Sequence, residues 1–419
     1  MGLYFRQYQI DIILVNYLSF ALREKRILSF GLSFTFMSSF GQTFLISLFV
    51  PYFLKDFSLS NATFGSLYSI ATLVSAGLLP YLGKWIDDLP LRMYSQMVAA
   101  GLLVASITVA LSWHVALLFV GLVLLRLSGQ GLSSHTAQTA MARYFVHQRG
   151  KALSISSLGY PIGEGILPLA IAGLLGIFSW RMTWGIIVLV IALFFIPLVR
   201  FILSRREYKD VEDADEESQA TDSSWEVYGM LAQDYRIWLV TPVILLPPFW
   251  ATGLFLYQVS IAEQLGWSAT LIASAFVAFA ASRVVSSISI GPLIDYFSAK
   301  TLIPYYVLPF GAGLVFAYYH PGSWSAFAYM LLIGVTMGMG SNIKSALWAE
   351  LYARDIIGTV RSFFSSLMVL STALCPFLMG WAIDREMAME SILFIAIATI
   401  SIATLMAYAA FHLSNRQTI

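Results

Sequence analysis

Twelve apolar stretches, each about long enough to cross a lipid bilayer, constrain this chain more than any other feature. They fall near 29–53, 64–86, 93–113, 115–140, 151–174, 182–204, 236–262, 269–297, 301–319, 325–350, 359–383 and 389–412. A bilayer core about 30 Å thick asks for about 20 apolar residues per helix. Within it every backbone N–H and C=O must be satisfied inside the segment, so each stretch is expected to be a helix. Of 419 residues only 11% are charged and 58% are hydrophobic, whereas a soluble protein carries roughly 25% charged residues. Lipid must therefore cover most of the surface. The expected class is an all-α polytopic membrane protein with twelve transmembrane helices.

The chain also repeats itself. Gly83-Lys84-Trp85-Ile86-Asp87 with Arg92 returns 208 residues later as Gly291-Pro292-Leu293-Ile294-Asp295 with Lys300. The same ungapped offset pairs Ser60 with Ser268, Tyr144 with Tyr352, Gly150 with Gly358, Ser154 with Ser362 and Pro168 with Pro376. Matches at Gly, Pro and Asp along one offset read as two copies of one six-helix unit. The expected division is an interfacial N-terminal segment 1–28, a first bundle 29–204, an acidic linker 205–234, a second bundle 235–413 and a tail 414–419. The linker holds Val211-Glu212-Asp213-Ala214-Asp215-Glu216-Glu217-Ser218, a self-repelling run with nothing to bury.

An even number of spans puts both termini on one side. Segments on that side hold eighteen Lys and Arg residues, and those on the other side three. The positive-inside rule then places the termini in the cytoplasm, most simply at a bacterial inner membrane. Cys375 has no partner for an internal disulfide, and Met1–Arg26 lacks a small-residue cleavage pattern. No Walker loop, His-Glu-x-x-His or cysteine cluster occurs. No enzyme chemistry, cofactor, metal or nucleic-acid partner is therefore expected, and the chain reads as a monomer in lipid.

Twelve spans in two halves, an acidic central linker and a repeated Gly-x-x-x-Asp-x-x-x-x-(Arg/Lys) turn after spans two and eight resemble the major facilitator superfamily. The first copy carries Pro90 where a Gly is usual and has a short basic tail. A third echo, Gly380-Trp381-Ala382-Ile383-Asp384, closes span eleven. Arg126 with Gly129 and Gly131 resembles the family's fourth-span arginine motif. Arg149-Gly150-Lys151-Ala152-Leu153 and Gly159-Tyr160-Pro161-Ile162-Gly163 are similar to the monocarboxylate and oxalate–formate branch. The resemblance implies the twelve-helix facilitator fold and transport by alternating access. Independently of family, Asp87 and Asp295 end helices where they can accept hydrogen bonds from a neighbouring helix start. Gly83, Asp87, Arg92, Gly291, Asp295 and Lys300 are thus expected to form a conformational latch, or else to cap short turns.

Four ionisable residues lie deep within the expected spans: Arg126, Glu164, Arg283 and Lys344. Each costs about 2.5–3.5 kcal/mol near a bilayer centre, so such residues mark pathways or pairs. None recurs at the 208 offset, where Gly334, Thr372, Ser75 and Thr136 stand instead. Three cations face one anion, and an anionic substrate would neutralise the excess. Arg283 and Lys344, without an acid in their own spans, are expected anion contacts. For Lys344 the alternative is snorkelling to the interface. Arg126 and Glu164, in adjacent spans four and five, are expected to pair, either as a proton-coupling element or as a fixed salt bridge.

Gln42, Tyr68, Gln130, Trp250, Tyr257, Gln258 and Asn342 are further lining candidates, each also explicable as helix packing. His135, on the opposite face from Arg126, is read as packing or as facing another helix. Gly334, Gly338 and Gly340 are read as a close-approach surface. Together these residues point to a secondary transporter of a small, monocarboxylate-like organic anion, coupled to protons or to anion exchange. The alternatives are a proton-coupled exporter of lipophilic cations, with Glu164 as the binding charge, and a non-transporting sensor.

Overall fold

The computed structural model describes residues 19–145, 147–204, 224–319, 322–352 and 356–413. Residues 1–18 of the expected interfacial segment, the acidic run Val211–Ser218, Arg354 and the tail 414–419 lie outside the described residues. Ten helices are long and apolar enough to cross a membrane singly, and a bent pair makes an eleventh. The shorter apolar helix Leu308–Tyr319 completes the twelve expected spans.

Span one comprises Lys25–Met37, a tight turn Ser38–Gly41, Thr43–Ile46, Ser47–Phe49 and Val50–Asp56, bent by 47° at Gln42. Spans two and three are Asn61–Asp88 and Leu91–Ala110. Span four runs Val115–Leu124, widens into a π-helix over Leu125–Ser133, and ends as Ser134–Tyr144. Span five is Arg149–Ser157 and Gly159–Leu175. Span six is Trp180–Val190, a π-turn Ile191–Phe195 and Ile196–Ile202. Pro197 supplies no N–H to the preceding turn, so the hydrogen-bond ladder slips there.

A linker helix, Ser224–Gln233, folds the last part of the expected linker. Spans seven and eight are Tyr235–Leu256 with Gln258–Gln264, and Ala269–Phe297. Span nine is not the single run expected: Ala299–Leu302 is separated from Leu308–Tyr319 by a turn holding Pro304. Spans ten to twelve are Trp324–Leu351, Ile357–Asp384 and Met389–Tyr408, the last extended over Ala409–Leu413.

Several repeated residues do matched work. Ser60 accepts from Thr63 N–H at 3.2 Å and Ser268 from Leu271 N–H at 3.1 Å, so spans two and eight start on the same cap. Pro168 and Pro376 each lie inside a helix, in spans five and eleven.

Call the end where Lys25 begins span one the near end, and the other the far end. Span two buries Phe64, Gly65, Tyr68, Ser69, Ala71, Thr72 and Ser75 in its far half, but Gly83 and Ile86 alone in its last three turns. Span eleven repeats the pattern, with Ala373, Cys375, Pro376, Met379 and Gly380 against Val360 and Phe364. The two six-helix bundles are therefore pressed together at the far end and parted at the near end.

Gly334 and Gly338 bring span ten onto span eight: a Cβ on either would collide with the Phe279 or Arg283 carbonyl oxygen. Backbone cannot retreat as a flexible side chain can. Gly338→Leu is expected to cost about 3 kcal/mol by overpacking, read as loss of the monodisperse peak in detergent. An unchanged elution profile and melting temperature would contradict this packing.

Candidate functional site

The site is built on two irregular backbones. Gln42 is extended (φ −82°, ψ 150°), which ends one helix of span one and starts the next. Span four widens at the same depth. Gly41 and Gly129 face each other there, and a Cβ on Gly129 would lie 2.7 Å from the Gly41 nitrogen. Glycine at both positions lets the two backbones touch, which carries the Gly41 carbonyl to the guanidinium of Arg126.

Arg126 is 7% exposed. It donates to Gly41 O at 3.2 Å, and its Cζ lies 5.1 Å from the centroid of the Tyr68 ring. The Tyr68 hydroxyl is 2.8 Å from Thr43 Oγ1, just past the break in span one, which fixes the ring under the cation. Among the described residues Arg126 has no acidic partner. Gln130 Oε1 is buried without a hydrogen-bond partner.

The expected pairing of Arg126 with Glu164 is corrected. Glu164 Oε1 accepts from Arg283 Nη1, joining span five to span eight across the two bundles. Adjacent spans share an edge, but the face of each helix decides the pair: Arg126 looks into the break of span one, and Glu164 looks across the bundle interface. Arg283 therefore does have an acid, contributed by the other half. The Glu164 side chain is 10% exposed, and its buried Oε2 has no partner. Lys344 lies half-buried near Tyr306, whose hydroxyl donates to Val243 O at 2.7 Å. It has no acidic partner among the described residues.

The other lining candidates divide. Gln42 is half-buried at the break itself. Trp250 is turned away: its indole N–H donates to Thr399 Oγ1 of span twelve at 3.0 Å. Asn342 ties span ten to span eight through Ser287 O at 2.8 Å. Gln258 Nε2 reaches across the bundles to Phe44 O at 3.1 Å and Ser47 Oγ at 2.5 Å. Tyr257 belongs to the far-end contact between spans two, seven and eleven.

At the near end Asp87 pairs with Arg143 of its own bundle, and Arg143 also donates to Ile86 O at 3.2 Å. His135 faces Gly83 O at 3.1 Å. Arg92 and Asp295 are exposed, Lys300 is half-buried, and a Cβ on Gly291 would meet open space. The acid that does meet a helix start here is Glu350, which accepts from Ala299 N–H at 2.6 Å and Lys300 N–H at 3.2 Å. Sequence reading gave Glu350 no such role. Asp384 makes the equivalent contact at the far end, and its signal was the third Gly-x-x-Ile-Asp echo.

A family model described as Major Facilitator Superfamily matches residues 32–259 and 249–418, one match per half. No curated relative matches the sequence. Among solved structures, the nucleoside transporter NupG superposes with a TM-score of 0.71 at 13% identity, covering 92% of this chain and 98% of its own. The D-xylose-proton symporter gives 0.71 at 16%, covering 91% and 97%. A bacterial homolog of the human lysosomal transporter Spinster, inward-facing and unoccupied, gives 0.66 at 15%, covering 93% and 96%. At these identities the likeness shows the fold. With the family model spanning both halves, the chain belongs to the major facilitator superfamily.

Proposed function

We propose that this protein is a secondary transporter of a small organic anion, working by alternating access, with Arg126 as the anion anchor. One observation carries the reading: a buried guanidinium held by a carbonyl and a ring face, with no carboxylate in ion-pair contact among the described residues. An unneutralised buried cation is costly, and a carboxylate arriving on the planar fork would offset that cost. Lys344 is a second cation on the near-end route to the site.

The Glu164–Arg283 bridge is the coupling element. Its carboxylate already has a cation, so it is a poor docking charge for a cationic drug, which argues against the exporter. A proton taken up by Glu164 would release Arg283 and loosen the bundles at mid-depth, where spans five and eight meet. Asp87 and Arg143 keep the near-end turn within its own half in this open state.

Counterflow of labelled carboxylates in proteoliposomes tests the reading against labelled amines, nucleosides and pentoses. The expected result is flux of a carboxylate, lost in Arg126→Ala. Flux of amines or neutral sugars alone, unchanged in that variant, would overturn it.

A further inference from the structure

The far-end contact is built differently from ordinary helix packing. Asp384, the last residue of span eleven, accepts from Asn61 N–H and Asn61 Nδ2 through Oδ1, each at 2.9 Å, and from Ala62 N–H through Oδ2 at 2.7 Å. One carboxylate of the second bundle thus caps the start of a helix in the first, where free N–H groups and the helix dipole favour negative charge. Asn61 heads a glycosylation-like Asn-Ala-Thr, yet its amide is committed to this contact.

Beneath the carboxylate, the Tyr257 hydroxyl of span seven donates to Asn61 O at 2.8 Å and Pro376 O at 3.1 Å. It can do so because both facing helices carry glycine there. A Cβ on Gly65 would lie 2.7 Å from the Tyr257 hydroxyl oxygen, and one on Gly380 2.5 Å. Spans two, seven and eleven meet at one tyrosine hydroxyl, with a charged cap above it and tight backbone contact around it.

We infer that Asp384, Tyr257, Gly65 and Gly380 form a releasable far-end seal, in which a carboxylate–helix-start clamp, rather than apolar burial, sets the balance between closed and open far ends. Two features argue for release. The clamp is polar and Asp384 is solvent-exposed, so water can take over its hydrogen bonds when the halves part. At Gly65 and Gly380 the facing surfaces are backbone and one hydroxyl, so neither position has a side chain to disengage. The third Gly-x-x-Ile-Asp element acts between the halves, whereas the Asp87 copy stays within one.

The inference rests on the transporter reading, and the experiment separates the two. Spin labels at Lys55→Cys and Gln264→Cys, one on each bundle and both exposed at the far end, report the gap by double electron–electron resonance. With Asp384 intact, the closed distance is expected to dominate. Asp384→Asn keeps the shape but loses the charge, and charge-assisted bonds on an exposed group support about a tenfold fall in the closed-to-open ratio. Gly380→Leu should populate the open distance almost alone, and Asp384→Glu should recover part of the closed population. The same closed distribution in Asp384→Asn and Gly380→Leu, in protein that still transports, would overturn the seal. One narrow distance in every variant, with no transport of any probe, would overturn the transporter reading instead.

Discussion

Arg126→Ala is expected to abolish carboxylate transport while the protein stays folded. The guanidinium has one hydrogen bond to a carbonyl and a ring face beneath it, so its removal strands no buried counter-charge. Stability should hold or rise slightly. A docked carboxylate would lose the guanidinium that holds it, and truncating one side of such a pair costs about 2–5 kcal/mol, or roughly 30-fold to several-thousand-fold in affinity. Arg126→Lys keeps the charge without the planar fork and should restore part of the binding. Concentration-dependent uptake in proteoliposomes checks both. Wild-type affinity in Arg126→Ala would remove this residue from the site.

The second large effect concerns the bridge between the halves. Glu164→Gln leaves Arg283 without its acid, and Arg283→Ala leaves a carboxylate with neither oxygen partnered. Breaking one side of a buried pair costs about 3–5 kcal/mol, and partial exposure of Arg283 places this case near the lower bound. Replacing both with Gln should recover most of the stability, a coupling that a double-mutant cycle measures. In transport, Glu164→Gln should keep anion exchange but lose acceleration by an inward proton gradient. A gradient response retained in that variant would place coupling elsewhere.

Much of the frame was legible because the bilayer imposes it. Apolar length gave the twelve spans, and the 208 offset found Ser60 and Ser268, which open spans two and eight on the same cap. The unrepeated charges were rightly marked as unusual, but their partners were not legible. Which face of a helix a residue occupies depends on breaks that hydropathy does not see: the extended Gln42, the π-helix of span four and the proline turn of span nine. A few residues of slipped phase moved Arg126 off Glu164 and left Arg283 to take it. The same blindness put Trp250 and Tyr257 among the lining candidates, although one anchors span twelve and the other bolts the far end. Glu350 was missed as a cap because its partners are backbone N–H groups, which no side-chain pattern records; Asp384 carried a signal in the third Gly-x-x-Ile-Asp echo, but not the identity of its partners across the bundles.

The central claim, that a buried arginine without an acid is the seat of an anionic substrate, has a direct measurement. Purified protein and its Arg126→Ala variant are warmed with a panel of small carboxylates, amines, nucleosides and pentoses, and the midpoint of unfolding is recorded for each. The account predicts that one or more carboxylates raise the midpoint of the native protein, because a ligand bound only by the folded state stabilises it, and that the variant loses this rise. Stabilisation by amines or neutral sugars alone, equal in the variant, would contradict it.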